Sequence, residues 1–212
     1  TRTPSQYLQR LRSYGAHLED WQVINSSEAT AHYLRQQYPN GGGVYVIGEH
    51  GLNAALKNRG FHLAESDVLA VVTGMDRHLT YEKLKRATML IRNGAAFFGT
   101  NPDKTFPTPE GLAPGAGTML AALEAATDVS PTIIGKPEPA LYQVAMERLG
   151  TRPEETLMVG DRLETDIAGA QRSGCSTALV LSGVTTEERA ARWEPAPDLI
   201  ANDLNHLLQL LR

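Results

Sequence analysis

The segment TLMVGDRLETD, at residues 156–166, most constrains what this chain can fold into. Its apolar residues 157–159 end at Gly160, and Asp161 follows directly. A short apolar run of this kind is typical of a strand buried on both faces of a parallel sheet. Glycine permits a sharp exit from the sheet, so we expect Asp161 at the carboxyl end of the strand, where open α/β sheets bind their ligands.

Two carboxylates and a lysine are the candidate functional residues near this strand. Asp166 follows Asp161 within the same segment, and Lys136 stands in the segment IGKP, between an apolar strand at 132–134 and Pro137. Carboxylate oxygens on a short loop suit Mg²⁺, which takes one or two protein carboxylates and completes its shell with water and substrate phosphate. A lysine at the same sheet edge supplies the complementary charge for an anion.

Each of these residues also has a purely structural interpretation. A Gly-Asp pair after a strand is often only a turn, and a Lys-Pro step often begins a solvated helix. A helix is predicted at residues 163–173, and its dipole favours a carboxylate at Asp166 whether or not that residue has a function. The functional interpretation therefore depends on the residues occurring together.

Several segments of the chain, taken together, resemble one family. IGKPEP and MVGDRLETDIAGA resemble the third and fourth motifs of the haloacid dehalogenase (HAD) superfamily, specifically of its subclass IIA, the NagD-like or 4-nitrophenylphosphatase-like branch. TRTPSQYLQRL at the start, VIGEHGL in the middle and TNPDKTFPTPEGLAPGAG before the lysine resemble the same branch, in the same order. The resemblance implies an α/β fold, with a Rossmann-like core of parallel sheet and helices on both faces, and an inserted α/β cap domain.

The resemblance also implies a domain organisation. Residues 1–23 and 131–212 are expected to form the core, and residues 24–130 the inserted cap. Within the cap, predicted strands alternate with predicted helices, as in a small α/β unit with a mostly parallel sheet. The predicted strands lie at 44–47, 68–73 and 95–100, and the predicted helices at 28–37, 49–59 and 81–93.

A catalytic mechanism follows from the same resemblance. In this family an aspartate attacks phosphorus to give an aspartyl-phosphate, and a second aspartate two residues further on acts as general acid and then as base. The matching positions here give Lys136 the role of neutralising the phosphate and the nucleophile, and give Asp161 the role of binding Mg²⁺. Asp166 would bind the metal or orient its waters and Lys136. The implied function is a Mg²⁺-dependent phosphatase of small phosphomonoesters.

The nucleophile of that mechanism is absent from these 212 residues. No Asp-X-Asp motif occurs in the chain, and the Thr-Asn-Asn of the family's second motif is missing too. The family pattern places both before Thr1. In that pattern the nucleophile strand lies between the second-motif strand and the strand at 157–159, which would otherwise have an unpaired inner edge. We therefore expect an N-terminal segment that carries the nucleophile, and we expect the 212 residues alone to be inactive as a phosphatase.

The segment at 101–114 is rich in proline and polar residues and is predicted to be a long loop. Composition alone favours a linker between domains. In NagD-like proteins, however, the matching loop of the cap faces the active site and shapes substrate choice. The resemblance therefore makes four residues candidates for substrate binding, namely Asn101, Asp103, Thr105 and Phe106.

Composition limits the kinds of partner that the protein can bind and the cellular compartment that we expect for it. A net charge of -4 argues against a surface for nucleic acid or anionic membrane, and the apolar runs are far shorter than a membrane span. The single cysteine, Cys175, cannot form an intramolecular disulfide and is expected to be a buried thiol in a cytoplasmic protein. The six histidines lack the spacing of a zinc site. We expect a small phosphorylated metabolite as substrate, and a homodimer formed through exposed cap strands.

Other function classes fit less well. A non-catalytic module that binds a phosphometabolite or a partner protein is the main alternative, although it would not require Lys136, Asp161 and Asp166 together. A true dehalogenase is disfavoured because a lysine and two metal-type carboxylates suit phosphate rather than halide. A dinucleotide-binding domain is disfavoured because the glycines at 41–43 precede their strand and Glu49 would repel a phosphate.

Overall fold

The computed structural model describes residues 3–212, except for the side chain of Pro107, as two compact units. The first unit ends at Gly135, and the second comprises Lys136–Arg212. Parallel strands alternate with helices in both units, which confirms the α/β class expected from the sequence. None of the helices in the described residues is long and apolar enough to cross a membrane.

The secondary-structure elements follow the predicted alternation. The helices of the first unit are α1 (Pro4–Ser13), α2 (Ser26–Gln37), α3 (His50–Asn58), α4 (Tyr81–Arg92) and α5 (Ala116–Thr127). Its strands are β1 (Gly42–Ile47), β2 (Phe61–Leu63), β3 (Ala70–Thr73), β4 (Ala96–Gly99), β5 (Thr105–Thr108), β6 (Gly111–Pro114) and β7 (Thr132–Ile133). The second unit contains α6 (Pro139–Leu149), β8 (Leu157–Gly160), α7 (Ala168–Arg172), β9 (Ser176–Val180), α8 (Glu187–Ala190), β10 (Leu199–Ala201) and α9 (Leu204–Leu210).

A five-stranded parallel sheet forms the centre of the first unit, in the order β2-β1-β3-β4-β7. The strands β1, β3 and β4 end in register, with Ile47 opposite Thr73 and Thr73 opposite Gly99. Every residue of β3 is buried, as expected for an inner parallel strand. The main core cluster joins the sheet to α4 and α5, and its buried members are Tyr45, Ile47, Val71, Ala87, Ile91, Phe97, Met119, Leu120 and Leu123.

Two predictions for the first unit need correction. The segment predicted as a loop at 101–114 contains the antiparallel hairpin of β5 and β6, in which Thr105 pairs with Pro114. The strands were not predicted because the segment contains prolines, and proline is rare in a strand except at an edge or bulge. The helix predicted at 28–37 begins two residues earlier, at Ser26, because Asn25 is its N-cap and accepts a hydrogen bond from the Glu28 N–H at 2.9 Å.

A three-stranded parallel sheet forms the centre of the second unit, in the order β10-β9-β8. β8 is therefore an edge strand, which pairs with β9 alone among the described strands. The prediction that residues 157–159 are buried on both faces is wrong, since Val159 is 36% exposed. Burial on both faces requires cover on both faces, and that depends on residues far away in the sequence.

The two compact units meet after Gly135, and the division into core and cap predicted from the sequence stays a prediction. The strand before Lys136 was expected to belong to the core, whereas β7 pairs in parallel with β4 of the five-stranded sheet. Backbone hydrogen bonds such as that from Ile134 N–H to the Gly99 carbonyl, at 3.0 Å, join this strand to the first unit. The observed division falls after Gly135 rather than after residue 130, and α1 also lies in the first unit.

Candidate active site

Asp161 follows β8 directly, as predicted, and the loop after β9 holds its carboxylate. Its Oδ2 accepts a hydrogen bond from the Val184 N–H at 2.9 Å, and its carbonyl accepts one from the Thr185 N–H at 3.2 Å. Gly183 packs so closely on this carboxylate that a Cβ atom there would overlap it. One carboxylate oxygen is thus fixed by the backbone, and within the described part of the chain Oδ1 has no hydrogen-bond partner.

Asp166 lies in a π-turn, Leu163–Ile167, that precedes α7. The predicted α-helix at 163–173 is therefore wrong for its first turn. The Arg162 carbonyl accepts hydrogen bonds from the N–H groups of both Asp166 (3.0 Å) and Ile167 (3.1 Å). Insertions of this kind in helices are frequent at functional sites.

Apolar burial fixes the π-turn in place. Leu163 and Ile167, at its two ends, are fully buried in a cluster with Leu179 and Ala190. Burying a side chain of this size stabilises a fold by about 1.5–3 kcal/mol. The turn between them is therefore held against the sheet of the second unit at both ends.

The structure brings Lys136 and Asp166 together. Lys136 Nζ donates to Asp166 Oδ1 at 2.7 Å, and the Arg162 N–H donates to Asp166 Oδ2 at 3.2 Å. The Asp166 side chain is 6% exposed, so its charge needs these partners, whereas the Lys136 side chain is 40% exposed. Asp166 therefore caps the turn and holds the lysine, and its role in metal binding or catalysis stays a prediction.

Gly160 explains how the two aspartates come near each other. A Cβ atom at Gly160 would overlap the Cβ and carboxylate carbon of Asp166, so the strand end and the π-turn pack directly on one another. Asp161 is the next residue in the chain. The second unit thus gathers Lys136, Asp161 and Asp166 around the carboxyl end of β8.

The donor set suits Mg²⁺ better than a metal that needs a complete protein cage. Among the described residues no group of three or more histidine, cysteine, aspartate or glutamate side chains could hold a metal ion. Mg²⁺ commonly uses one or two carboxylates and fills its shell with water and phosphate oxygens. Asp161 offers one such oxygen, while both oxygens of Asp166 already accept hydrogen bonds from the protein.

The four predicted substrate-binding residues all lie in the first unit. Asn101 Oδ1 accepts a hydrogen bond from the Asp103 N–H at 3.1 Å, and Thr105 and Phe106 lie on β5. The Asp103 carbonyl accepts from the Gly117 N–H at 2.8 Å, which ties the base of the hairpin to the start of α5. Their role in binding substrate stays a prediction.

Comparison with known proteins supplies the family. Residues 133–207 match the family model described as HAD-hydrolase-like, and residues 1–62 match that of haloacid dehalogenase-like hydrolases. The acid sugar phosphatase of Staphylococcus aureus (strain USA300) is 40% identical over 209 residues, which cover 98% of this chain and 80% of that protein. The chain belongs to the NagD-like branch of the HAD superfamily.

Solved structures agree with this placement in the NagD-like branch. NagD from E. coli K-12 superposes with a TM-score of 0.90 at 31% identity, covering 96% of this chain and 79% of NagD. The p-nitrophenyl phosphatase from Archaeoglobus fulgidus superposes with a TM-score of 0.92 at 31% identity, covering 99% of this chain and 82% of that protein. The NagD-like fold expected from the motifs is thereby confirmed.

Residues that support the NagD-like motifs were missed at the sequence level. Gly183 and Val184 hold Asp161 from a loop more than twenty positions away, and Tyr142 of α6 contacts the π-turn that carries Asp166. The segment SGVTT after an apolar strand was the available signal for the first two residues. Nothing in the sequence around Tyr142 distinguishes it from an ordinary core tyrosine.

Proposed function

We propose that this protein is a Mg²⁺-dependent phosphatase that hydrolyses small phosphomonoesters through an aspartyl-phosphate intermediate. The observation that carries the proposal is the buried Asp166 carboxylate, which holds the partly exposed Lys136 ammonium at 2.7 Å beside the strand end that bears Asp161. The names of the relatives, acid sugar phosphatase and p-nitrophenyl phosphatase, support the reaction class.

Three residues of the second unit, Lys136, Asp161 and Asp166, each have a task that phosphoryl transfer requires. Catalysis of this reaction depends mainly on positioning the phosphoryl group and stabilising its spreading negative charge. The Lys136 ammonium can bind that negative charge, because Asp166 accepts from only one of its three N–H donors. Asp161 would hold Mg²⁺ through its remaining oxygen. The metal, when bound, neutralises charge on the phosphoryl oxygens.

The nucleophile of the proposed reaction lies in a segment N-terminal to Thr1. The outer edge of β8, where Val159 is 36% exposed, is consistent with a further strand at that place. An aspartate on such a strand would attack phosphorus, and a second aspartate would protonate the leaving group and then activate water. Lys136 would stabilise the negative charge of the attacking carboxylate.

The substrate side of the proposal concerns the first unit. We assign residues 24–130, which lie in the first unit, to the inserted cap, and we place the substrate-binding residues Asn101, Asp103, Thr105 and Phe106 on the segment that leads into and forms β5. The Asn101 turn and the bonds between Asp103, Lys104 and the start of α5 support a rigid hairpin base. Rigid segments that carry polar side chains commonly bind substrates.

Hydrolysis of 4-nitrophenyl phosphate and of a panel of sugar phosphates by the full-length protein tests this proposal. We expect turnover that requires Mg²⁺, and a loss of at least about 10²-fold in kcat for Asp161→Asn, which keeps the acceptor for Val184 N–H but loses the charge. Asp198→Asn is the matched control, because that carboxylate binds Thr177 in the same unit.

Four results would contradict the proposal. No turnover of any ester by the full-length protein would favour a binding module. Turnover that is indifferent to Mg²⁺, or unchanged in Asp161→Asn, would exclude the metal role of Asp161. Full activity of the 212 residues alone would place the nucleophile within them.

A further inference from the structure

Tyr142 is a buried residue of α6 whose hydroxyl reaches the backbone of the π-turn. Its Oη lies 2.9 Å from the Thr165 carbonyl oxygen and 3.0 Å from the Asp166 carbonyl oxygen, and the hydroxyl donates its proton to this pair of acceptors. The residue is 6% exposed and packs in a cluster with Met146, Ala170 and Cys175. The contact therefore joins α6 to the segment that carries Asp166.

Gly169 allows the tyrosine ring to approach this closely. A Cβ atom at Gly169 would overlap the ring carbons and the hydroxyl of Tyr142. Two glycines thus frame Asp166: Gly160 receives its side chain, and Gly169 receives the ring that binds its carbonyl. The position of Asp166 is set from both sides by contacts that leave no room for a larger residue.

The hydroxyl stays protonated over the pH range in which enzymes work. Burial raises the pKa of Tyr142, and the negative charge of Asp166 raises it further. The group is therefore a permanent donor to the turn. Its proton goes to the two backbone carbonyls, so the hydroxyl does not compete with Lys136 for the Asp166 carboxylate.

We propose that Tyr142 is a positioning residue for phosphoryl transfer, which sets the place of the Asp166 carboxylate and, through it, of the Lys136 ammonium. This inference rests on the function proposed above. Without the hydroxyl, two carbonyl groups of the turn lose a donor, and the turn relaxes by moving its backbone. Asp166 moves with that backbone, and the 2.7 Å contact with Lys136 is no longer held in the same place.

Tyr142→Phe in the full-length protein tests the inference, with Tyr45→Phe as the matched control. Tyr45 is also buried, and its hydroxyl also donates to a backbone carbonyl, that of Lys83, but it lies in the first unit. We expect Tyr142→Phe to lower kcat for 4-nitrophenyl phosphate about tenfold, the range typical of residues that orient a catalytic group. KM should stay within about twofold. The control should change neither quantity.

Titration calorimetry with Mg²⁺ alone gives a second measurement, independent of turnover. Because Asp166 packs on the residue before Asp161, we expect the Mg²⁺ dissociation constant of Tyr142→Phe to rise several-fold and that of Tyr45→Phe to stay unchanged. Equal thermal unfolding midpoints in the two variants would show that lost stability is not the cause. If Tyr142→Phe fails to fold, Gly169→Ala, which displaces the same ring, replaces it.

The outcomes separate this inference from the proposed function. Wild-type turnover with kcat and Mg²⁺ affinity both unchanged in Tyr142→Phe would overturn the positioning role alone. No turnover by the wild type would overturn the phosphatase, and the calorimetry would still decide whether Tyr142 positions the site. If Tyr45→Phe lowered kcat by the same factor as Tyr142→Phe, both hydroxyls would be shown to act through the stability of the fold and not through the active site.

Discussion

Each unit of the molecule holds a buried aspartate paired with a lysine, and the two pairs are nearly identical in geometry. In the first unit Lys83 Nζ lies 2.7 Å from Asp76 Oδ2, with the side chains 37% and 2% exposed. In the second unit Lys136 Nζ lies 2.7 Å from Asp166 Oδ1, with the side chains 40% and 6% exposed. Distance and burial alone therefore do not distinguish a catalytic pair from a structural one.

The surroundings of the two pairs differ. Asp76 Oδ1 accepts the His78 N–H at 2.8 Å, and Lys83 Nζ also donates to the His78 carbonyl at 3.0 Å, so the pair closes the loop between β3 and α4 on itself. Lys136 and Asp166 come from separate sequence segments, and among the described residues Asp166 is the acceptor that Lys136 contacts. Of the three donors of an ammonium group, Lys83 uses two on Asp76 and His78, whereas within the described residues Lys136 uses one and has two left for an anion.

Gly183, which packs against the Asp161 carboxylate, allows a test of how precisely that carboxylate must be held. Gly183→Ala would push a methyl group into the Asp161 carboxylate, and we expect a loss of about 10- to 100-fold in kcat or in Mg²⁺ affinity. Gly43→Ala on β1 is the control, since its new methyl group would meet Ala64 at a tight but adjustable 3.3 Å. Steady-state kinetics with varied Mg²⁺ would measure both, and wild-type behaviour of Gly183→Ala would show that the contact does not position Asp161.

A second ion pair of the first unit should affect stability and not catalysis. The Arg77 guanidinium donates to both oxygens of Glu49, at 2.6 and 3.0 Å, and lowers the pKa of that carboxyl from 4.5 to about 2. A carboxyl whose pKa is lowered by folding stabilises the fold at pH values above its pKa in the unfolded chain. That contribution is lost as the pH falls from about 4.5 to about 2.

Glu49→Gln should therefore lower the free energy of unfolding by about 1 kcal/mol at pH 7, discounted because Arg77 is largely exposed. The difference from wild type should vanish towards pH 2, and kcat should not change. Urea unfolding at several pH values measures this. A difference that is the same at every pH would exclude the ion pair as its cause.

Much of the fold could be predicted because its signals are local. The helices α3 and α4 and the strands β1 and β8 lie close to where periodicity and apolar runs placed them. The hairpin of β5 and β6 and the exposure of Val159 on β8 were not predicted. The hairpin is hard to predict because proline is rare in strands. The exposure of β8 depends on which elements cover it, and a local sequence pattern does not show this.

Some residues of the candidate site could also be predicted from the sequence, and others could not. Lys136, Asp161 and Asp166 stand in recognisable motifs, so their proximity followed from the family resemblance. Tyr142 and Gly183 did not, because their importance lies in contacts across more than twenty residues. The π-turn was also missed, since its hydrogen bonds replace those of an α-helix without a marker in the sequence.

The most direct test of the difference between the two pairs is kcat/KM for 4-nitrophenyl phosphate in full-length Lys136→Met and Lys83→Met. Both substitutions leave a buried aspartate without its lysine, so both should lower the unfolding midpoint. We expect Lys136→Met to lose about 10²- to 10³-fold in kcat/KM and Lys83→Met to stay close to wild type. Equal losses in the two variants, or none in Lys136→Met, would contradict the assignment of Lys136 to catalysis.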